Sequence, residues 1–385
     1  MFLSGFHLFS AVIVTMLTGW GGLTLTEVMI LQSWFTFSIF ALEVPTGVVA
    51  DLWGRKSSLI LSGLISVAGF VVYALVPNIW LFILGEFLLA LAFTLRSGAA
   101  EALLYDSVPE STAKKALSRN GSLVLVGLSV GPAVGSLLLN WVEPQHLMLL
   151  TAIPFAIMVV LGLFLTEPET VKHEDRSQKF WNILISGIQF FLKHPTLRSL
   201  AIDMGVVAAV SKMMIWLYQP LLQQQGLPLT WYGWIFAVAV VIEVVAMNFY
   251  SHLESKGKSV QNILFWSGVL PAVGLLIAGF SSVWWVSVFG MWLTIGIGLS
   301  RKPFFSGLFN EHISSGQRAT VLSAIAMSSQ LMLIPLNPVV GYFGDQSVRG
   351  VLLALGAGLL GFVVWKRVKK TRLSKIVTPL RENGS

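Results

Sequence analysis

The chain contains no cysteine, which removes disulfide frameworks, thiolate zinc sites, iron–sulfur clusters and cysteine nucleophiles together. Charge is almost as scarce, at 11% of the 385 residues, against roughly 25% in an ordinary soluble domain. So few charges cannot cover the cores that a water-soluble chain of this length builds. A soluble globule is therefore excluded. The phosphate-cradling loop G-x-x-x-x-G-K-[ST] is missing, so ATP is not the direct energy source. The six histidines show no metal-ligand spacing, and neither a metal nor a cofactor is implied.

What is present is apolar. Hydrophobic residues make up 55% of the chain, and a helix needs about 20 of them in succession to cross a bilayer core of ~30 Å. Twelve stretches qualify, at approximately 1–20, 28–50, 58–76, 79–104, 119–139, 146–165, 197–219, 231–252, 259–279, 283–304, 319–342 and 348–365. Turn chemistry such as Gly21-Gly22, Pro77-Asn78 and Ser281-Ser282 separates them. The runs are continuous and lack period-2 alternation, which excludes a membrane β-barrel. The expected fold class is an all-α membrane protein with twelve transmembrane helices.

The basic residues orient it. If the N-terminus is cytoplasmic, 22 of the 25 Lys and Arg lie at inner ends, as membrane insertion favours, so both termini are expected in the cytoplasm. The net charge of +7 then reflects topology and implies no nucleic acid partner. No basic segment precedes the first stretch, so a cleavable signal peptide is not expected. In the connection 166–196, Phe180, Leu184, Ile188 and Phe191 recur at helical spacing and predict an interfacial amphipathic helix. The tail 366–385, with Lys366, Arg367, Lys369 and Lys370, reads as an anchor to anionic lipid.

The chain also resembles itself at an offset near 204 residues. Gly22-Leu23-Thr24-Leu25-Thr26 is echoed by Gly226-Leu227-Pro228-Leu229-Thr230, Asp51/Gly54/Arg55 by Glu254/Gly257/Lys258, Trp80 by Trp284, and Gly131 to Gly135 by Asn337 to Gly341. Six helices return the chain to its starting side, so the repeat predicts two pseudo-symmetric six-helix bundles with a substrate site between them. The expected organisation is a first half at 1–165, a linker at 166–196, a second half at 197–365 and the tail.

The sharpest local pattern is Glu43-Val-Pro-Thr-Gly47-Val-Val-Ala-Asp51-Leu-Trp-Gly54-Arg55-Lys56. It resembles the loop between helices 2 and 3 of the major facilitator superfamily, G-x-x-x-D-x-x-G-R-K, at all five positions. Gly47 would let a neighbouring helix approach, Asp51 would meet a helix N-terminus, and Gly54 would supply the reversal. The resemblance makes Arg55 a gate cation, expected beside Asp106. On the fifth helix, Gly127, Gly131, Pro132 and Gly135 are similar to the G-x-x-x-G-P-x-x-G pattern of the family's proton-linked exporters, where small residues give close packing and the proline a bend. The same stretch contains G-x-S-x-G around Ser129, but a hydrolase elbow requires a strand–turn–helix, so no enzyme is expected. The family's usual helix 4 arginine falls at Glu86, and Arg96 follows in a variant seen in bacterial members.

Charges inside a membrane cost at least ~2.5 kcal/mol each on insertion scales and are functional candidates. Here they are Glu43, Glu86, Arg96, Asp203, Lys212 and Glu243. Glu43 and Arg96 lie at matched depth and are expected to form an ion pair. Lys212 and Asp203 are cavity candidates together with Trp34 and Trp216. Proton coupling needs a buried carboxylate that takes up and releases a proton; Glu243 is the first candidate and Glu86 the second, the order resting on whether Glu86 pairs with Lys212. His7, the sole ionisable group on helix 1, reads as a polar packing or cavity residue.

The resemblance implies a secondary transporter in the cell (plasma or inner) membrane, a monomer whose partners are a small-molecule substrate, protons and lipid. The expected activity is alternating-access export of an amphipathic or drug-like compound against proton entry. Proton-coupled uptake of a sugar or organic anion, and a non-transporting membrane sensor, are the alternatives.

Overall fold

In the computed structural model, residues 2–167, 194–313, 321–322, 325 and 330–368 are described. Among them the structure is helical with no strand. The helices are α1 (Phe2–Gly5), α2 (Ile13–Gly19), α3 (Leu25–Trp53), α4 (Arg55–Leu75), α5 (Ile79–Asp106), α6 (Glu110–Leu138), α7 (Pro144–Leu163), α8 (Pro195–Gln224), α9 (Tyr232–Ser255), α10 (Val260–Phe280), α11 (Trp284–Trp292), α12 (Lys302–His312), α13 (Leu333–Gln346) and α14 (Val348–Val368). Nine helices among the described residues are long and apolar enough to cross a membrane. The expected amphipathic helix and most of the tail lie outside the described residues.

Two expected stretches depart from single uninterrupted helices, and a third, 319–342, lies partly outside the described residues. The first is broken between α1 and α2, and its freed backbone groups find side chains. Leu8 N donates to Thr151 Oγ at 3.2 Å, and Val14 N and Thr15 N donate to Gln219 Oε1 at 2.8 and 3.4 Å. Gln219 Nε2 in turn donates to Ser10 O at 3.2 Å. Irregular backbone at membrane depth survives only with such protein partners. The stretch expected at 283–304 winds through a π turn at Leu293–Ile297 before α12 begins, and Thr294 Oγ within that turn donates to Pro271 O of α10 at 3.2 Å. The stretch expected at 319–342 is described as a helix from Leu333. Elsewhere the helices outrun their apolar stretches: α6 starts at Glu110, nine residues before the stretch expected from 119, because hydropathy records lipid depth and not helix length.

The ends are set by local chemistry. Thr24 and Glu27 form a capping box at the start of α3, and Asn78 Oδ1 accepts from Trp80 N at 2.9 Å at the start of α5. Gly22 and Gly226 have φ of +66° and +73°, and Gly54 and Gly257 have +89° and +68°. These are two repeat-related pairs, each at a turn that requires the left-handed region.

The chain divides into two compact units, one formed by Met1–Leu184, Gln219–Val240 and Gln330–Gln346, the other by Ile185–Tyr218, Val241–Ser329 and Ser347–Ser385. In the first unit α4 packs on α5 and α7, and α3 on α5 and α13. In the second, α10 packs on α14 and α11, around a core that includes Leu197, Tyr250, Phe305 and Phe309.

Lipid tails are as apolar as leucine, so close packing of small residues holds such helices together. A Cβ on Gly127 would lie 2.4 Å from Phe2 O, one on Gly131 2.7 Å from His7 N, and one on Gly135 1.9 Å from Leu8 O. The three glycines of α6 thus form a seam against α1 and the segment that follows it. Gly135→Val is expected to cost ~3 kcal/mol or more. Gly121→Ala, on the same helix with nothing within 4 Å, should be neutral or stabilise by up to ~1 kcal/mol. Thermal unfolding in detergent compares them; equal effects would remove the seam. A Cβ on Gly47 would meet nothing within 4 Å among the described residues, so none of the described helices makes the close approach expected there.

Candidate functional site

Four groupings of polar side chains stand out, and the loop between α3 and α4 is the first. Gly54 turns the chain there, and the first two amides of α4, Arg55 N and Lys56 N, donate to the two carboxylate oxygens of Glu167 at 2.7 Å each. Arg55 Nη1 bonds Ala102 O at 2.9 Å and makes an ion pair with Asp106. Lys56 Nζ reaches Leu163 O at 2.8 Å. The loop is therefore tied to the ends of α5 and α7. Sequence reasoning placed Arg55 beside Asp106 and missed Glu167, whose distance of 112 residues leaves no local trace. The Asp51 side chain lies outside what is described.

The second grouping surrounds Glu86. This carboxylate is 6% exposed, and its Oε1 accepts from Gln32 Nε2 of α3 at 2.9 Å and from Tyr73 OH of α4 at 3.0 Å. Among the described residues no cation lies within ion-pair distance of it. Such a site holds a carboxyl group with neutral donors alone.

Arg96 anchors the third. Its guanidinium carbon lies 5.7 Å from the Phe93 ring and 5.6 Å from the Phe155 ring. The His7 ring stands edge-on to Phe155 at 5.5 Å and is hydrogen-bonded to Ser4 O at 3.0 Å. The expected Glu43–Arg96 ion pair is not formed among the described residues. Glu43 sits on an exposed face of α3, whereas the arginine is taken up by aromatic faces, so matched depth did not bring them together.

The fourth grouping was not foreseen. Asp203 Oδ1 accepts from Arg301 Nη2 at 2.5 Å and Oδ2 from Lys366 Nζ at 2.8 Å. Arg301, only 2% exposed, also donates to Ser267 Oγ at 3.0 Å and to the carbonyls of Asp203 and Leu264 at 3.3 Å each, with the Phe305 ring 4.8 Å away. Asp203 is thus an ion-pair residue joining α8 to α14 and to the segment before α12, and it lines a cavity together with Thr196, Leu264, Phe265 and Lys366. Lys366, expected in the tail, is half-buried near the end of α14 and pairs with Asp203 within the second unit.

The remaining candidates are less engaged. Trp34 Nε1 donates to Ile83 O at 3.1 Å and its ring stacks with Phe37 and Phe87, so it serves the α3–α5 interface. Glu243, Lys212 and Trp216 are half-buried, and Glu243 has no hydrogen bond or ion pair among the described residues. Pro132 lies inside α6, where its carbonyl oxygen would be 1.8 Å from a Cβ on Gly233, and Ser136 Oγ accepts from Gly233 N at 2.7 Å.

Nine helices among the described residues long and apolar enough to cross a membrane, with the charged side chains of Glu86, Asp203 and Arg301 buried among them, define a polytopic membrane protein. The Major Facilitator Superfamily profile matches residues 1–336, and the chain belongs to that family. It is thus a multi-pass membrane protein of a transporter family. Over 145 residues it is 24% identical to the D-xylose-proton symporter-like 2 of Arabidopsis thaliana, a match covering 38% of this chain and 29% of that relative. The matching segment thus spans less than a third of the curated relative's length. Among solved structures, the nucleoside transporter NupG aligns with a TM-score of 0.76 at 15% identity, covering 97% of both chains. A bacterial homologue of the human lysosomal transporter Spinster aligns at 0.74 and 11%, covering 96% of this chain and 94% of that one. A POT family transporter crystallised with a thioalcohol-conjugated peptide aligns at 0.73 and 12%, covering 97% and 95%. At these identities the likeness is one of fold.

Proposed function

We propose that the protein is a proton-coupled exporter of an amphipathic or drug-like compound, working by alternating access in the cell membrane as a monomer. In this reading twelve helices form two six-helix halves, 1–165 and 197–365, with both termini cytoplasmic. The Arg55 end then faces the cytoplasm and the Thr24 end the outside. The observation that carries coupling is Glu86: a buried carboxyl group with two neutral donors and no cation among the described residues can be protonated or not as its surroundings change. Glu243, half-buried and without a described partner, is the second candidate, reversing the order that sequence alone suggests. The exporter direction rests on the resemblance of Gly127 to Gly135 to the exporters' helix 5 pattern. Proton-coupled uptake of a sugar is the second reading, favoured by the similarity to a xylose–proton symporter-like protein.

The test is a growth screen of an expressing strain against a compound panel, followed by transport of the hit in right-side-out and inverted vesicles. Accumulation into inverted vesicles alone supports export; accumulation into right-side-out vesicles alone supports uptake; neither, across the panel and sugars, counts against transport. The Arg55–Asp106 pair is read as an inner gate, closed when the cytoplasmic side is shut. Arg55→Asp or Asp106→Arg should each reduce transport at least ~10-fold, and the double reversal should restore most of it. No recovery in the double variant would remove the pairing from the transport cycle.

A further inference from the structure

At the end of the molecule opposite Arg55, three helix N-termini are completed by side chains from distant parts of the chain. Gln219 of α8 takes the first amides of α2. Ser136 of α6 takes Gly233 N near the start of α9. Asp345, near the end of α13, takes the first two amides of α3: Oδ1 accepts from Leu25 N at 2.7 Å, and Oδ2 from Thr26 N at 3.0 Å and from Thr26 Oγ at 2.5 Å. All lie within the first compact unit, yet each joins a helix of the first sequence repeat to one of the second.

The Asp345 cap differs from the others because α3 already has a cap of its own. The Thr24–Glu27 box satisfies Glu27 N and Thr24 N, leaving only Leu25 N and Thr26 N for an outside acceptor. Asp345 is exposed and so is its contact with Thr26 N, while that with Leu25 N is partly buried; water that follows the departing carboxylate would reach both amides, and the Thr24–Glu27 box keeps α3 capped without it. A carboxylate at a helix N-terminus gains from the helix dipole and from charge-assisted bonds, so the contact is favourable as well as dispensable. Below it the two helices touch directly. A Cβ on Gly341 would lie 2.8 Å from Thr26 Cα, and Ser33 Oγ donates to Ile334 O at 2.8 Å. Met29, on the same seam, is fully buried.

We propose that Asp345 is a latch: its carboxylate holds α13 on the N-terminus of α3 while this end is shut, and its release lets the α3–α13 seam part. The function of the latch rests on the reading of the chain as a transporter that opens at this end. Its existence does not depend on the substrate or on coupling.

The chain's lack of cysteine makes the test direct. Met29→Cys is introduced alone and together with Asp345→Ala or the size-conserving Asp345→Asn, and the purified full chain in lipid nanodiscs is reacted with a polar maleimide. Met29→Cys alone should label slowly, and both latch variants should label at least tenfold faster while eluting as a single folded species. Unchanged labelling in both variants would overturn the proposal. So would failure of both to fold, since that would make Asp345 a structural cap and not a releasable one. Because the readout needs neither substrate nor a proton gradient, a latch that labels as expected in a protein that fails the vesicle assay would leave the seam in place and remove only the transport reading.

Discussion

Arg301→Met should destabilise the protein by about 3–5 kcal/mol, the range seen when one partner of a buried ion pair is removed. The arginine ties α8, α10 and the start of α12 together through one carboxylate, one hydroxyl and two carbonyls. Without it, Asp203 keeps Lys366 alone as an ionic partner among the described residues, and the two carbonyls lose a donor. Replacing all three charges together, as Arg301→Met with Asp203→Leu and Lys366→Met, should be milder than the sum of the single changes, because no member of the network is then left without its partner. Thermal unfolding in detergent reads both. A loss below ~1 kcal/mol for Arg301→Met would mean that the network adds little to what packing already supplies.

The second large effect concerns coupling. Glu86→Gln keeps the size of the side chain and an oxygen able to accept from Gln32 and Tyr73, so folding should survive. What the amide cannot do is take up and release a proton. Exchange of substrate across proteoliposomes without a pH gradient should therefore persist, while gradient-driven accumulation should fall by ~10-fold or more, the scale of a lost proton-transfer group. Tyr73→Phe removes one donor and should shift the pH dependence of accumulation without abolishing it. Unchanged accumulation in Glu86→Gln would transfer the role to Glu243, whose Gln variant is measured in parallel.

Much of the fold was legible because lipid imposes a one-dimensional rule: about 20 apolar residues in a row mark a span, whatever they later touch. The repeat was legible for a similar reason, since Gly22 and Gly226, or Gly54 and Gly257, must each be glycine to turn the chain at positive φ. The interruption between α1 and α2 was not, because residues 6–12 are as apolar as a helix would be, and the side chains that permit it, Thr151 and Gln219, lie more than 140 residues away.

The site divides along the same line. Arg55 and Asp106 could be placed from a short motif, and Glu86 from being a charge in an apolar run. Arg301 and Lys366 could not, since each stands at the edge of an apolar stretch, where a basic residue reads as positive-inside topology. Only the tertiary structure turns them inward onto Asp203. Glu43 and Arg96 mark the opposite failure: equal depth along two helices says nothing of azimuth, and the azimuth of Arg96 points its guanidinium at Phe155. Asp345 and Glu167 were overlooked because a carboxylate near a loop is ordinary, and a helix N-terminus in need of an acceptor is visible only once the box Thr24–Glu27 and the turn at Gly54 are in place.

The most direct measurement of proton-coupled transport uses purified protein in proteoliposomes with the compound that the growth screen selects. Imposing a pH gradient across otherwise balanced vesicles should drive accumulation of the compound above its outside concentration, and collapsing the gradient with a protonophore should release it. Equal concentrations on both sides, with and without the gradient, would contradict the account.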